Sequence, residues 1–440
     1  MSIPFSEPPL LQGQPSPYYS QKHIEFQRAC RQFITSNLTD HAMNWEREGK
    51  VPDEVFSRFA VANFLVPHLP APLPVHWLRR LGIDTLPGGL KAEDFDCLHT
   101  VIYFDEMQRS GLAGIPGSLS AGMTFGVPPI IRYGSKELQE RFLPELLTGK
   151  KRTCIAITEP DAGSDVAGLT TEAVRSQDGR HFIINGAKKW ITNGIWADYA
   201  TMAVRTGGPG AKGLSLIVVP LKDYPGVTTR KILVGGQNTA GTAYIELDDV
   251  RVPVENIIGK EGEGMKYIMT NFNHERLTVA IGVARQARVT LSAAFKYCMK
   301  REAFGKTLIS QPVVRHRLAK SGAKLESLWA WLEQIAFQMS KMSKDEVDIQ
   351  LGGITALAKA QAAKVLDDCA RCSVLLFGGN GFTQSGQGEI AEKIYRDVNG
   401  ARIPGGSEDV MLDLAIRQLL LRYQSKIEEM GRSGRTTGRL

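Results

Sequence analysis

The stretch "HFIINGAKKWITNG", residues 181–194, decides how the chain divides. β-Branched and aromatic residues crowd into short runs closed by Asn-Gly, which is the pattern of strand and turn and not of helix. The same pattern recurs at close intervals in "YATMAVRT" (199–206), "GLSLIVVPL" (213–221), "GVTTRKILV" (226–234) and "TAYIELDDVRVP" (242–253). Residues 153–264 are therefore expected to form a compact β domain. Working outward, both flanks change period. Upstream, "KHIEFQRACRQFITSNL" (22–38), "PDEVFSRFAVANFLV" (52–66) and "SKELQERFLPELLTG" (135–149) space apolar residues as helices do. Downstream, "YIMTNFNHERLTVAIGVARQARVTLSAAFKYCMK" (267–300), "VVRHRLAKSGAKLESLWAWLEQIAFQMSKM" (313–342) and "GITALAKAQAAKVLDDCARCSVLLF" (353–377) are long helical patterns joined by short connections.

The expected fold is thus α+β and multi-domain. A flexible Pro-rich lead-in (1–20) precedes an N-terminal helical domain (21–152), a middle β-barrel-like domain (153–264), a C-terminal antiparallel four-helix bundle (265–424) and a basic tail (425–440). Within the first helical domain, the Pro/Gly-rich segment 67–94 around His76 and Trp77 reads as a surface loop or short lid.

Composition bounds the class. The chain has 440 residues, 43% hydrophobic and 22% charged, which excludes disordered and collagen-like material and allows two or three sizeable cores. No run of 18 apolar residues suggests a membrane span, and the opening residues lack the features of a secretion signal. An intracellular protein is expected, cytoplasmic or organellar. The final "GRL" resembles the peroxisomal S-K-L signal only loosely. Six cysteines are spread along the chain, and the only close pair, Cys369 and Cys372, lies in a helical pattern and reads as core packing, so no metal site is expected. The net charge of +7 favours anionic partners, among them nucleic acid or a phosphate-rich coenzyme. No nucleic-acid motif accompanies it, which disfavours that class.

Phosphate loops are absent as well. "GKEGEGMKY" (259–267) has its glycines in the wrong order for a Rossmann turn, and no P-loop occurs. More informative are "CIAITEPDAGSDVAG" (154–168), which couples a strand to a Gly/Ser/Asp turn exposing Thr158 and Ser164, and "KKWITNG" (188–194). Strand alternation would put Trp190 and Thr192 on one face, an aromatic plane beside hydrogen-bonding groups suited to a flat heteroaromatic ring. Taken singly, each also fits a β-turn beside a core Trp.

Together with "DDVRVPVENIIGKEGEGMKY" (248–267), "REAFGK" (301–306), "FGGNGF" (377–382), "YRD" (395–397) and "GGSED" (405–409), these stretches resemble the acyl-CoA dehydrogenase family in order and spacing, from about residue 20 to 423. The resemblance implies FAD held without a Rossmann fold. By position it implies that Ile157, Thr158, Trp190 and Thr192 lie along the isoalloxazine, that Ser164 bonds the pyrophosphate, and that Ser407 faces the cofactor. Arg301, Phe304 and Gln311 would reach the neighbouring subunit's FAD, and Gly378 and Gly379 would approach its pyrophosphate, making the cofactor part of a homotetramer, a dimer of dimers. Leu375 and Asp409 stand where the family usually has Gln and a polar amide, so some adenine-side hydrogen bonds are expected to be missing.

The implied reaction removes the pro-R α-proton of an acyl-CoA thioester while the β-hydride passes to flavin N5, as in fatty acid β-oxidation. Electrons then go to an electron-transferring flavoprotein. Most of the family places its carboxylate base in the stretch after "YRD", where this chain has Pro404 and Gly405. A minority branch, the long-chain and isovaleryl enzymes, carries it on the first helix of the bundle, immediately before an arginine: here Glu275, followed by Arg276. Arg276 turns about 100° away along a helix and would orient the site without quenching the base. The Gly405 N–H, with the FAD ribityl 2′-hydroxyl, would bind the thioester oxygen. Two other readings stay open: a flavin oxidase or N-hydroxylase of the same fold that reacts with oxygen, and a flavin-containing nucleic-acid-binding relative of low activity.

Overall fold

The computed structural model describes residues 2–436, with side chains to residue 427. The β domain is an eight-stranded sheet whose central path runs Ile257–Ile258, Leu214–Pro220, Tyr199–Arg205, Glu172–Arg175, His181–Ile191, Ala243–Pro253, Val227–Lys231. Thr153–Ala156 pairs in parallel with Tyr199–Arg205 off that path. Alternation along Leu214–Pro220 serves two cores. Ile217 and Val219 join Phe182, Ile184, Met202 and Ile245 in the sheet's own apolar cluster, whereas Leu214, Leu216 and Val218 join the core of the helices. The sheet thus has apolar residues on both faces, one packed as its own core and the other against the helices. The middle domain is β-rich, as expected from sequence, and its central strand path is open, with Ile257–Ile258 at one end and Val227–Lys231 at the other.

Both helical regions contribute to one apolar cluster, from Phe26, Val101 and Phe142 to Ile281, Leu332 and Val365. The C-terminal part holds four long helices, Phe272–Lys300, Pro312–Lys341, Gly352–Phe377 and Glu408–Thr436. Gly352–Phe377 packs against the other three. Cys369 and Cys372 are buried in it, as the helical pattern implied.

Three expectations need correction. The lead-in is not a loose arm. Phe5 meets Phe295 edge-on, with ring centroids 6.3 Å apart, and Tyr19 Oη donates to Glu333 at 2.9 Å. The Glu7 carboxylate is buried and accepts from Arg31 and Arg109, both at 3.1 Å, and from Arg285 at 3.3 Å. Three guanidiniums converge there on two buried carboxylates, Arg31 and Arg109 on Glu106 and Arg285 on Asp105, and the excess of positive charge at the core's edge draws in Glu7 as a third anion. Nor is 67–94 a surface loop. Leu69, Leu73, Trp77, Leu78 and Leu86 are buried, Val75–Arg80 is a helix, and Trp77 Nε1 donates to Gln139 at 3.0 Å. The prolines break helical period without making the segment polar, and its leucines still seek the core. The basic tail also begins inside secondary structure, since helix Glu408–Thr436 runs past residue 424; residues 437–440 lie outside the described ones.

Candidate active site

Glu275 sits in the first turn of helix Phe272–Lys300, four residues after the N-cap Asn271. Asn271 Nδ2 donates to Glu275 Oε1 at 2.7 Å and to the Thr124 carbonyl at 3.0 Å, so the carboxylate is tied through one amide to the π-helical turn Gly122–Gly126. A helix N-terminus favours the carboxylate anion by only about 0.3–1 kcal/mol. Burial outweighs that preference, the Asn271 bond and the nearby Arg276 charge, and pushes the Glu275 pKa up to about 7. A carboxylate that is half anionic near neutrality, yet keeps some accessible surface, is suited to take a proton from a bound molecule.

Arg276 is buried and turned elsewhere. Its Nη1 lies 3.5 Å from the Gly352 carbonyl, its guanidinium lies 5.1 Å from the Phe272 ring centre, and Nε and Nη2 have no protein partner. Among the described residues it forms no ion pair with Glu275 within 4.0 Å. Gly405 lies in the turn between helices Glu389–Arg402 and Glu408–Thr436, with φ +68°. A Cβ placed there would meet only Lys359 Cε, at 4.0 Å, so the position is open where a larger side chain could stand. Ser407 is half-buried in the same turn, and Asp409 is exposed just beyond it.

The turn bearing Thr158 and Ser164 is held from below by a buried pair that the sequence did not single out. Lys188 Nζ donates to Glu159 Oε1 at 2.7 Å and to the Ile157 carbonyl at 3.0 Å, while Glu159 also accepts from the Thr170 and Thr171 N–H groups. Thr158 is half-buried and Ser164 exposed. Trp190 breaks the strand rule used to place it: φ is +60°, the ladder slips between Lys188 and Ile191, and the strand ends at Ile191. Alternation therefore cannot fix the relative facing of Trp190 and Thr192. A left-handed Trp that remains 48% exposed is strained and solvent-facing, a state that ligand stacking would use.

Arg301, Phe304 and Gln311 cluster at the far end of helix Phe272–Lys300. Phe304 and Gly305, with φ +54° and +75°, form a two-residue hairpin turn that leaves Phe304 92% exposed. Gln311 Nε2 is buried without a partner. Tyr297 joins this group to "FGGNGF", stacking at 4.5 Å on Phe377 and accepting from Asn380 at 3.2 Å. Added Cβ atoms at Gly378 and Gly379 meet nothing within 4 Å, and Leu375 beside them is exposed. No described hydrogen bond joins this group to Thr158, Trp190 or Thr192. An orphan amide, two bare glycines and an exposed aromatic ring suit a large, flat, phosphate-bearing cofactor approached from outside the chain.

Three family models match the chain in order: acyl-CoA dehydrogenase N-terminal domain over residues 76–150, middle domain over 154–250 and C-terminal domain over 262–420. Acyl-CoA dehydrogenase apdG of Emericella nidulans is 67% identical over 98% of both chains. The chain belongs to the acyl-CoA dehydrogenase family. A second relative, acyl-CoA dehydrogenase AFT10-1 of Alternaria alternata, is 35% identical over 95% of this chain and 96% of its own. Among solved structures, an acyl-CoA dehydrogenase from Geobacillus kaustophilus superposes with a TM-score of 0.79 at 30% identity, covering 92% of this chain and all of that one.

As an acyl-CoA dehydrogenase the chain is an oxidoreductase, and its "YRD" motif has a structural role. Asp397 accepts from the Gln237 N–H at 3.2 Å and from Lys393 at 2.8 Å, and Lys393 also pairs with Glu46 at 2.9 Å. Glu46 in turn caps Thr239, and the next residue, Ala240, accepts the Asn193 N–H at 2.8 Å. All three domains meet here, directly behind Thr192. Sequence reading placed Thr192 but missed Glu46, Lys393 and Gln237, because nothing local marks residues whose partners lie 160 positions or more away along the chain.

Proposed function

We propose that this enzyme desaturates an acyl-CoA thioester between the α and β carbons, with FAD as its cofactor and Glu275 as the base. The observation that carries the reading is a recessed carboxylate on the first turn of the bundle, tied to Asn271 and pushed by burial to a pKa of about 7, in a chain whose position 405 is an unobstructed glycine. Glu275 takes the α-proton. The Gly405 N–H, which has no acceptor among the described residues, donates to the thioester oxygen, where charge develops as the proton leaves. FAD, when bound, supplies a hydride acceptor for the β carbon. Thr158 and Thr192 bond the flavin edge, Trp190 lines the ring, and Ser164 bonds the pyrophosphate. Arg301, Phe304, Gln311, Gly378 and Gly379 complete the site of a neighbouring subunit.

Assembly as a homotetramer, a dimer of dimers, is supported by the apolar surface left open. Phe304, Phe382, Leu420, Leu421 and Tyr423 are each more than half exposed. An electron-transferring flavoprotein is the proposed acceptor. Among the described residues no helix is long and apolar enough to cross a membrane. The test is anaerobic mixing of the yellow enzyme with straight, branched and aromatic acyl-CoA thioesters. Loss of flavin colour with at least one, followed by slow recovery in air and fast recovery with the flavoprotein, is expected. Colour unchanged by every thioester rejects the reaction, and rapid recovery in air alone rejects the acceptor.

A further inference from the structure

Lys359 is the structure's least expected charge. It lies on the central helix Gly352–Phe377 and is 1% exposed, although an ammonium in such a place forfeits its hydration. Among the described residues it has no ion pair; its partners are two carbonyls. Nζ donates to Gly406 O at 2.5 Å and to Arg402 O at 3.3 Å. These carbonyls bracket the turn that carries Gly405. Ile403, Pro404 and Gly405 between them are exposed, and Gly405 and Gly406 both have left-handed φ, at +68° and +92°. Such a turn has few means of holding one shape, since neither glycine has a side chain to wedge it and Pro404 has no N–H.

Resting on the proposed desaturase reading, we infer that Lys359 is a positioning residue for the reaction. Its ammonium clamps both ends of the 402–406 turn and thereby aims the Gly405 N–H at the thioester oxygen. Three features of the molecule converge on this role. The clamp is charge-assisted, and so stronger than a neutral contact. The lysine stem runs directly beneath Gly405, its Cε 4.0 Å from where a Cβ would be, so the same side chain sets the depth of the turn. Finally, the cation is left where it has no carboxylate to satisfy. Arg276 stands near enough to disfavour its charge, and Glu408, the nearest counter-charge, is engaged by Lys364 and Arg402. Where the family's usual base occupies position 405, a side chain can take part in fixing this turn. With glycine there, the clamp holds the turn from beneath while the Arg402–Glu408 ion pair, at 2.8 Å, ties its ends at the surface.

The role separates from mere support of the fold by its readout. A bound 3-ketoacyl-CoA such as acetoacetyl-CoA ionises to an enolate whose acidity reports the hydrogen bond to its thioester oxygen, with no turnover required. In FAD-loaded Lys359→Met, melting temperature and FAD content are read alongside. The expected result is a rise of one unit or more in the pKa of the bound enolate and a fall in kcat of about 100-fold, with KM changed less than threefold. Lys359→Arg, which keeps charge and donors, is expected to recover most of the acidity. Wild-type acidity and kcat in Lys359→Met overturn the inference. If that variant does not fold, Lys359→Gln carries the test: acidity intermediate between wild type and unassisted ketone supports the clamp, and wild-type acidity rejects it. Failure of the wild-type enzyme to bleach with any acyl-CoA would instead reject the desaturase reading itself.

Discussion

At the scale of a single residue, Glu275 is governed by a contest between solvation and local hydrogen bonding. Burial wins, and the pKa rises from 4.5 to about 7. The proposed base must be ionised to act, so kcat/KM is expected to fall as pH drops below 7, with a one-proton slope in the free enzyme. Glu275→Gln keeps an oxygen for the Asn271 donor and should remain folded and yellow. Its flavin reduction is expected to be slower by about 100-fold to 10,000-fold; stopped-flow bleaching at near-normal rate excludes Glu275 as the base. The raised pKa also has a stability sign. The fold prefers the neutral acid, so stability is fully present below the unfolded value and is lost as pH rises through about 7. The uncharged Gln variant should melt above wild type at pH 8, and the difference should vanish near pH 4.

Elements set where that residue can act. The π-helical turn Gly122–Gly126 delivers the Thr124 carbonyl to Asn271, and it does so while lying against the strand Thr153–Ala156. A Cβ at Gly122 would overlap the Thr153 carbonyl, a backbone atom with no rotamer to yield. Gly122→Ala is therefore expected to cost about 1–3 kcal/mol, visible as a lower melting temperature. Because the strand leads into the Thr158 turn, weaker FAD retention should accompany it. A variant with normal melting and normal FAD content shows that the turn can shift without consequence. The turn that carries Gly405 depends on a different device. The turn at 402–406 has two adjacent left-handed glycines and is held by a side chain from another helix.

For the whole molecule, ionic contacts join regions far apart in sequence. Glu7 is the anion for Arg31, Arg109 and Arg285; burial opposes its charge, and the guanidiniums overcome the penalty and lower its pKa. Its contribution should be present above the ordinary carboxylate range and fade as pH falls through the lowered value. Glu7→Gln is expected to cost about 3 kcal/mol at pH 7 in a denaturation experiment, with the gap closing in acid. A pH-independent difference would point to packing alone. Around Glu46, Lys393 and Asp397, a comparable network ties three domains behind Thr192.

Sequence by itself determined the helix, β, helix order, because period 2 and period 3.6 are local properties that few residues suffice to express. It also determined the family, through short motifs whose order survives without knowledge of contacts, and it singled out Glu275 by pairing it with the glycine at 405. Tertiary structure alone decided that the Pro-rich lead-in and segment 67–94 are packed, since burial depends on what lies opposite and not on a segment's own pattern. A register shift and a left-handed φ at Trp190 likewise break the alternation that sequence assumed there. Most of all, it decided the supports: Asn271 beneath Glu275, Lys188 beneath Glu159, Lys359 beneath Gly405. A buried charge is stable only with partners brought from distant positions, and that proximity exists only once the chain has folded.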